Sequence, residues 1–434
     1  MRKKSSSLLL VVAFVFAMMA AGSAQKLAES VQRQLNSAVG KVSGAKLQLS
    51  APRSIHRAPS AFNNSAPNGQ SSVKSNPGGL PGIDSIPNFT RAFSSQGQVW
   101  PYTMMGNDPG LGRRTRIPAR IIAVSLELQN SDLVTTTKVP IEPFERLALN
   151  SPNFEKSDYT TGEDIQFADA VRRAEFFHVM KKNWHTELRP ARIVERVTIF
   201  VPFTTSVASV DANGNPIEVD VRTYLRGTAG DGSTFVLLLD QFFNQAFFDT
   251  VVNAIGAGHA TTDALNIVLL PNTFLFSLDG SNSVVSGFHT FFFDGSVTPL
   301  PVWVTVFATW ISPGLFDAGI QDVTALSHEI SESFDNPFLI NSVPAWQFPG
   351  FPGTCQDNLE VGDPIEALDN QSFPVTIEDD DRKFTYHPQT EALLQWFEDA
   401  VPSDAIHGAY SYPDIKALPG PAVPFGPLTC STGP

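Results

Sequence analysis

Three residues in the run from Val323 to Pro337 have the types and spacing to hold a metal ion and activate water: His328, Glu329 and Glu332. In a helix, residues four apart lie on one face. His328 and Glu332 then grip one ion together, while Glu329, one step round, leans toward a water bound to it. This is the logic of the His-Glu-x-x-His zinc helix, with Glu in place of the second His. Zinc accepts imidazole nitrogen and carboxylate oxygen, so the exchange is chemically sound. In this reading Glu329 is the general base that takes a proton from the metal-bound water and passes it to the leaving amine. A second carboxylate ligand lowers the net charge of the ion and weakens its Lewis acidity. Calcium is the second option, because oxygen-rich sites suit a hard cation. The bland alternative is an amphipathic helix with a solvated polar face.

The helix is locally specified. Val323, Leu326, Ile330 and Phe334 recur at intervals of three and four, which makes one apolar face. Asn336-Pro337 ends it, since the residue before proline avoids helical backbone. Asp335 continues the polar stripe and is the first candidate to orient a ligand. The third ligand must come from elsewhere. Glu360 ranks first, with Asp363 and His289 close behind. Each has a plainer reading: His289 as a packed histidine, Glu360 and Asp363 as turn caps.

These residues need a scaffold. Strands are expected over 119–128, 134–141, 193–202, 217–225, 267–270, 284–293 and 302–310, from their β-branched, alternating or wholly apolar character. Helices are expected over 163–182, 239–255 and 391–400. The fold class is α+β, a mixed sheet packed against the metal-holding helix. His178 and His185 share one helical spacing but have no third ligand near them, so they read as ordinary histidines. Asp211 to Pro216 reads as a turn cluster and not a calcium loop, because it lacks the full ligand series.

Composition bounds the rest. Arg2, Lys3 and Lys4, an apolar core from Leu8 to Ala21, and the small residues Gly22-Ser23-Ala24 read as a signal peptide over 1–24. That predicts a protein that is secreted or held at the cell envelope. Residues 25–115 read as a disordered, low-complexity linker or pro-segment, and 116–434 as the folded domain. A formal net charge of -13 argues against nucleic acid as a partner. The two cysteines, Cys355 and Cys430, suit one disulfide in an exported chain, pinning the tail to the loop after the helix. No Gly-x-Ser-x-Gly elbow and no phosphate-cradling glycine loop is present. Paired carboxylates for glycoside hydrolysis stay open, because their separation cannot be read from sequence.

The order of motifs carries a resemblance. Leu269-Leu270-Pro271 is followed by Gly287-Phe288-His289. Then come Ser327-His328-Glu329-x-x-Glu332, Asn336-Pro337, Trp346 and Glu360-x-Gly362-Asp363. From Ile193 to Gly433 the chain resembles secreted bacterial zincin-like proteins and is distantly similar to plant EXORDIUM-type, phosphate-induced cell-wall proteins. In that pattern the cysteine often follows the Glu-x-x-Asp, whereas here Cys355 precedes Glu360. The resemblance implies a zincin-like, metal-binding, peptidase-like fold. Two functions follow as expectations. One is an exported zinc metallopeptidase acting on a peptide or protein substrate. The other is a non-catalytic envelope protein of the same fold that binds a partner such as a glycan.

Overall fold

The computed structural model describes residues 79–159, 163–210, 215–228, 232–278, 284–316, 319–349, 355–366, 368, 371–379 and 382–422. The signal peptide, residues 25–78, the 211–214 turn and Cys430 lie outside these residues, and so does the predicted Cys355–Cys430 bond.

The chain runs through β1 (Ile83–Asp84), β2 (Asn88–Ser95), β3 (Gln98–Met105), β4 (Arg114–Gln129) and β5 (Thr136–Val139). Helices α1 (Glu142–Leu149) and α2 (Phe167–Glu175) follow, then β6 (His185–Val201) and α3 (Asp240–Gly256). β7 (Leu265–Pro271), β8 (Gly287–Phe293), β9 (Leu300–Trp310) and α4 (Thr324–Asp335) complete the frame. A separate four-stranded sheet and smaller hairpins are inserted between these elements, and further hairpins follow α4.

The main sheet runs β6–β4–β7–β9–β8, with β1 added along β9 and β5 along β4. β6, β4, β7 and β9 are parallel neighbours, and β8 runs antiparallel on the edge of β9. Parallel strands need both faces covered, and all seven residues of β7 are buried accordingly. Side chains alternate between the faces of a strand. Ile121, Ile267, Leu269, Val304 and Val306 join one core with Leu326, Ile330 and Phe334 of α4. Ile122, Val268, Leu270 and Phe307 join the opposite core with Phe243, Phe247 and Val251 of α3. The sheet is thus sandwiched between the two helices. On β8 the same alternation sets His289 on one face with Phe291, a member of the α4 core.

Three expectations need correcting. Order begins well before residue 116: β1 pairs with β9, and β2 and β3 form a hairpin. Ile86, Phe89, Met104 and Met105 are buried there, but the surrounding Ser, Asn and Gln concealed so sparse an apolar set. The helix predicted over 163–182 is α2 alone, nine residues, all buried. The helix predicted over 391–400 shrinks to Leu394–Phe397, and Glu391–Ala392 pairs as a strand with Ser411–Tyr412.

α2 meets α4 through one buried cation. Arg172 lies 3.1 Å from Asp335 and 3.3 Å from Glu175, and donates to the Phe334 carbonyl at the end of α4. Its guanidinium also lies over Phe89, Phe176 and Trp184. A cation at a helix C-terminus is favourable, and here it also compensates two buried acids. Arg172→Met should cost about 3 kcal/mol, because it strands those acids, although protonation relieves part of the penalty. Urea unfolding measures this, and an unchanged midpoint would refute the role.

Candidate metal centre

α4 is buried on every side: all twelve of its residues are buried. Its polar face is therefore not solvated, and the bland reading of the motif fails. The acids and imidazole on that face must be satisfied by the protein or by something bound to it. Asp322 precedes the helix with φ 45° and accepts hydrogen bonds from the Val323 and His387 amides. Asn336 closes the other end, where its backbone amide donates to the Glu332 carbonyl.

His328 and Glu332 converge as the four-residue spacing predicts, with Nε2 and Oε1 3.1 Å apart. Asp363 brings Oδ1 to 3.7 Å from the same nitrogen, and Glu366 brings Oε1 to 4.0 Å. His289 arrives from β8, with Nδ1 3.3 Å from Glu332 Oε2 and 3.7 Å from Glu329 Oε2. Among the described residues two trios have the spacing of metal ligands: His328, Glu332 and Asp363, and His289, Glu329 and Glu332. Ligands held about 2.0–2.2 Å from one tetrahedral ion stand about 3.3–3.6 Å apart, and the separations within the two trios, 3.1–3.7 Å, lie close to that spacing.

The loop from Leu359 to Glu366 is docked by backbone bonds. The Leu359 amide donates to Asn341, and the Ala392 amide to Val361. Gly362 donates its amide to Glu332 Oε1 at 3.3 Å. This glycine is required by close approach, since any Cβ would collide with the His328 ring. At Gly287 an added Cβ would come within 2.6 Å of Glu329 Cγ. Both helix residues are thus wedged against backbone, which fixes where they point.

The proton on His328 can be placed. Gln389 Nε2 donates to the Gly362 carbonyl at 2.6 Å, so its Oε1 is the atom facing His328 Nδ1 at 3.2 Å. A carbonyl only accepts, so Nδ1 carries the hydrogen and Nε2 is left toward the carboxylates. Metal-binding histidines are held this way by a partner on the far nitrogen. Losing that partner typically costs 10–100-fold in metal affinity. Gln389→Leu should therefore weaken metal binding by about that factor while the fold is kept. Competition against a chelating dye reads it, and an unchanged affinity would remove Gln389 from the site.

The electrostatics describe a cluster short of positive charge. Burial resists protonation of His328, but Glu332 and Glu329 outweigh it and lift the imidazole well above its ordinary pKa. His289 is lifted likewise against burial, chiefly by Glu360. Burial also opposes ionisation of Glu332, yet His328 and His289 hold its carboxyl well below the usual range. Burial raises Glu329, and pushes Glu360 and Glu366 well above the carboxylate range. Five carboxyls crowd two imidazoles, and most of the acids resist ionising. A bound cation would supply what is missing.

The predicted residues are all drawn into this region, but not in the ranked order. Asp363 joins His328, whereas Glu360 lies behind His289, 3.8 Å from its Nε2, and accepts from Asn336. Asp335 does not orient a ligand. It pairs with Arg172 instead, because seven residues carry it about 10 Å along the helix from His328. His185 pairs with Asp169, and His178 is exposed, so neither enters the centre. Sequence reasoning missed Glu366 and Gln389. Glu360, Asp363 and Glu366 recur every third residue, a signal that was present. Nothing in the sequence around Gln389 marks it.

The centre opens to the surface through a gap of ≈ 10 Å³ bordered by Gly287, His328, Glu329, Glu366 and Gln389, room for about one water. Comparison with known proteins returns no match among family models, curated proteins or solved structures.

Proposed function

We propose that this chain is an exported, zinc-dependent hydrolase of zincin-like architecture that cleaves peptide bonds. One observation carries the reading. His328, Glu332 and Asp363 form a buried ligand trio, and Glu329 sits beside it at the opening to solvent. The sheet supports it as well, since a mostly parallel sheet with an antiparallel edge strand braces the helix that bears His328 and Glu332.

A bound zinc ion lowers the pKa of its water toward neutrality and polarises the scissile carbonyl. The chain does the rest. His328 offers Nε2 because Gln389 holds Nδ1. Glu332 is steadied by the Gly362 amide. Glu329 Oε1 lies 3.8 Å from His328 Nε2, within reach of a water held by the trio, and serves as the base that moves its proton to the leaving amine. A second reading draws on the narrowness of the opening: an ion that only ties the 359–366 loop to α4, in a protein that binds a partner at the cell envelope.

Metal content and metal removal test the proposal. The purified full chain should carry zinc, and a chelator should abolish hydrolysis of labelled casein and lower the melting temperature by several degrees. Zinc-free protein that cannot be reloaded would end it. Stabilisation by zinc with no hydrolysis of casein or of a peptide library would favour the second reading.

A further inference from the structure

We infer that the centre takes two divalent ions, bridged by Glu332 and Glu329. The inference rests on the proposed metal site and adds a second position to it. Glu332 presents Oε1 to His328 Nε2 at 3.1 Å and Oε2 to His289 Nδ1 at 3.3 Å. Glu329 repeats the pattern, with Oε1 3.8 Å from His328 Nε2 and Oε2 3.7 Å from His289 Nδ1. Each carboxylate thus offers one oxygen to each imidazole, which is the arrangement of a bridging ligand.

The two histidines are also held alike. Gln389 faces the far nitrogen of His328, and Glu360 faces the far nitrogen of His289. In both rings the near nitrogen is turned to the same pair of carboxylates. Partners on the far nitrogen are the usual support of a ligating histidine. Glu360 therefore orients His289, and Asp363 completes the ligand set of the ion at His328.

A second, separate observation points to a ligand. His328 Nε2 and Glu329 Oε2 are buried and make no hydrogen bond among the described residues. The approach of Glu332 to His328 is close but lacks hydrogen-bond geometry. Charge agrees. Glu329, Glu332, Glu360, Asp363 and Glu366 are all buried around two imidazoles. If all five ionise, one divalent ion leaves three charges uncompensated and two ions leave one. Two imidazoles with four or more carboxylates is also the donor set of two-ion carboxylate centres in unrelated folds. Such a set suits first-row divalent ions, zinc or manganese, over calcium.

The positions are not equivalent. His328, Glu329 and Glu366 border the opening, whereas His289 is 1 % exposed and absent from it. The His289 ion is the deeper one. It also engages Glu329, so the chain with two ions has its base occupied, and hydrolysis should be faster at one ion per chain than at two.

The test is a count. The full chain is stripped with chelator, then dialysed against Mn²⁺ or Zn²⁺, and metal per chain is measured. Two ions per chain are expected. With Mn²⁺, the signal of an isolated ion should give way to that of a coupled pair as the second position fills, because bridged ions stand about 3.5–4 Å apart. His289→Gln should bind one ion, with its circular dichroism unchanged. If the unaltered chain binds a single ion, and His289→Gln keeps it, the second position is refuted while the proposed hydrolase stands. If the chain binds no ion, both readings fall. The electron paramagnetic measurement needs no variant, so misfolding of His289→Gln would not rescue the inference.

Discussion

Glu332→Gln should strip the centre of metal. The residue stands in both ligand trios, and its two oxygens serve different histidines. Removing even an orienting partner costs 10–100-fold in affinity, so loss of a shared ligand should cost at least about 100-fold. The amide keeps the shape of the carboxylate, so the helix and its packing should survive. Bound metal after dialysis and the circular dichroism spectrum report the two effects separately. Asp363→Asn provides the contrast, since Asp363 belongs to one trio only and its loss should leave the His289 position able to bind. Should Glu332→Gln hold metal as tightly as the parent, the site has been placed on the wrong residues.

The second large effect concerns Glu329→Gln. If Glu329 moves the proton, hydrolysis should fall by about 10²–10⁴. Retention of the His328 ion is the companion result, because His328, Glu332 and Asp363 do not depend on Glu329. On the two-ion proposal the second ion should be lost, because Glu329 would be one of its ligands. The pairing of results separates this variant from a merely unfolded one: activity absent, one ion present. Full activity in Glu329→Gln would exclude it as the base and move the chemistry elsewhere.

Legibility from sequence followed contact range. β4, β7, β9, α3 and α4 are marked by local patterns, alternation or three-and-four spacing, and the structure has each of them within a few residues. The β2–β3 hairpin was missed because its buried residues are sparse among polar neighbours. The spacing predicts α2 too long, because the apolar pattern through Phe177 and Met180 continues past the point where the chain leaves the helix. Sequence cannot order Glu360 and Asp363, because their placement depends on how one loop is turned, and that turn is set by Asn341 and Ala392.

The sequence alone determined that His328 and Glu332 share a helix face, because helical geometry acts over four residues. It also determined that this helix packs by one apolar stripe, and that His289 sits on a strand. Only the tertiary structure decided that the polar face is buried, since burial depends on what covers it. It decided that β8 turns His289 toward Glu332 rather than away, through its register on β9. It decided which nitrogen of His328 is presented, through Gln389, which lies 61 residues further along the chain. Spacing along a helix could name two candidate ligands. Only the meeting of an edge strand and a helix could set Glu332 between two histidines.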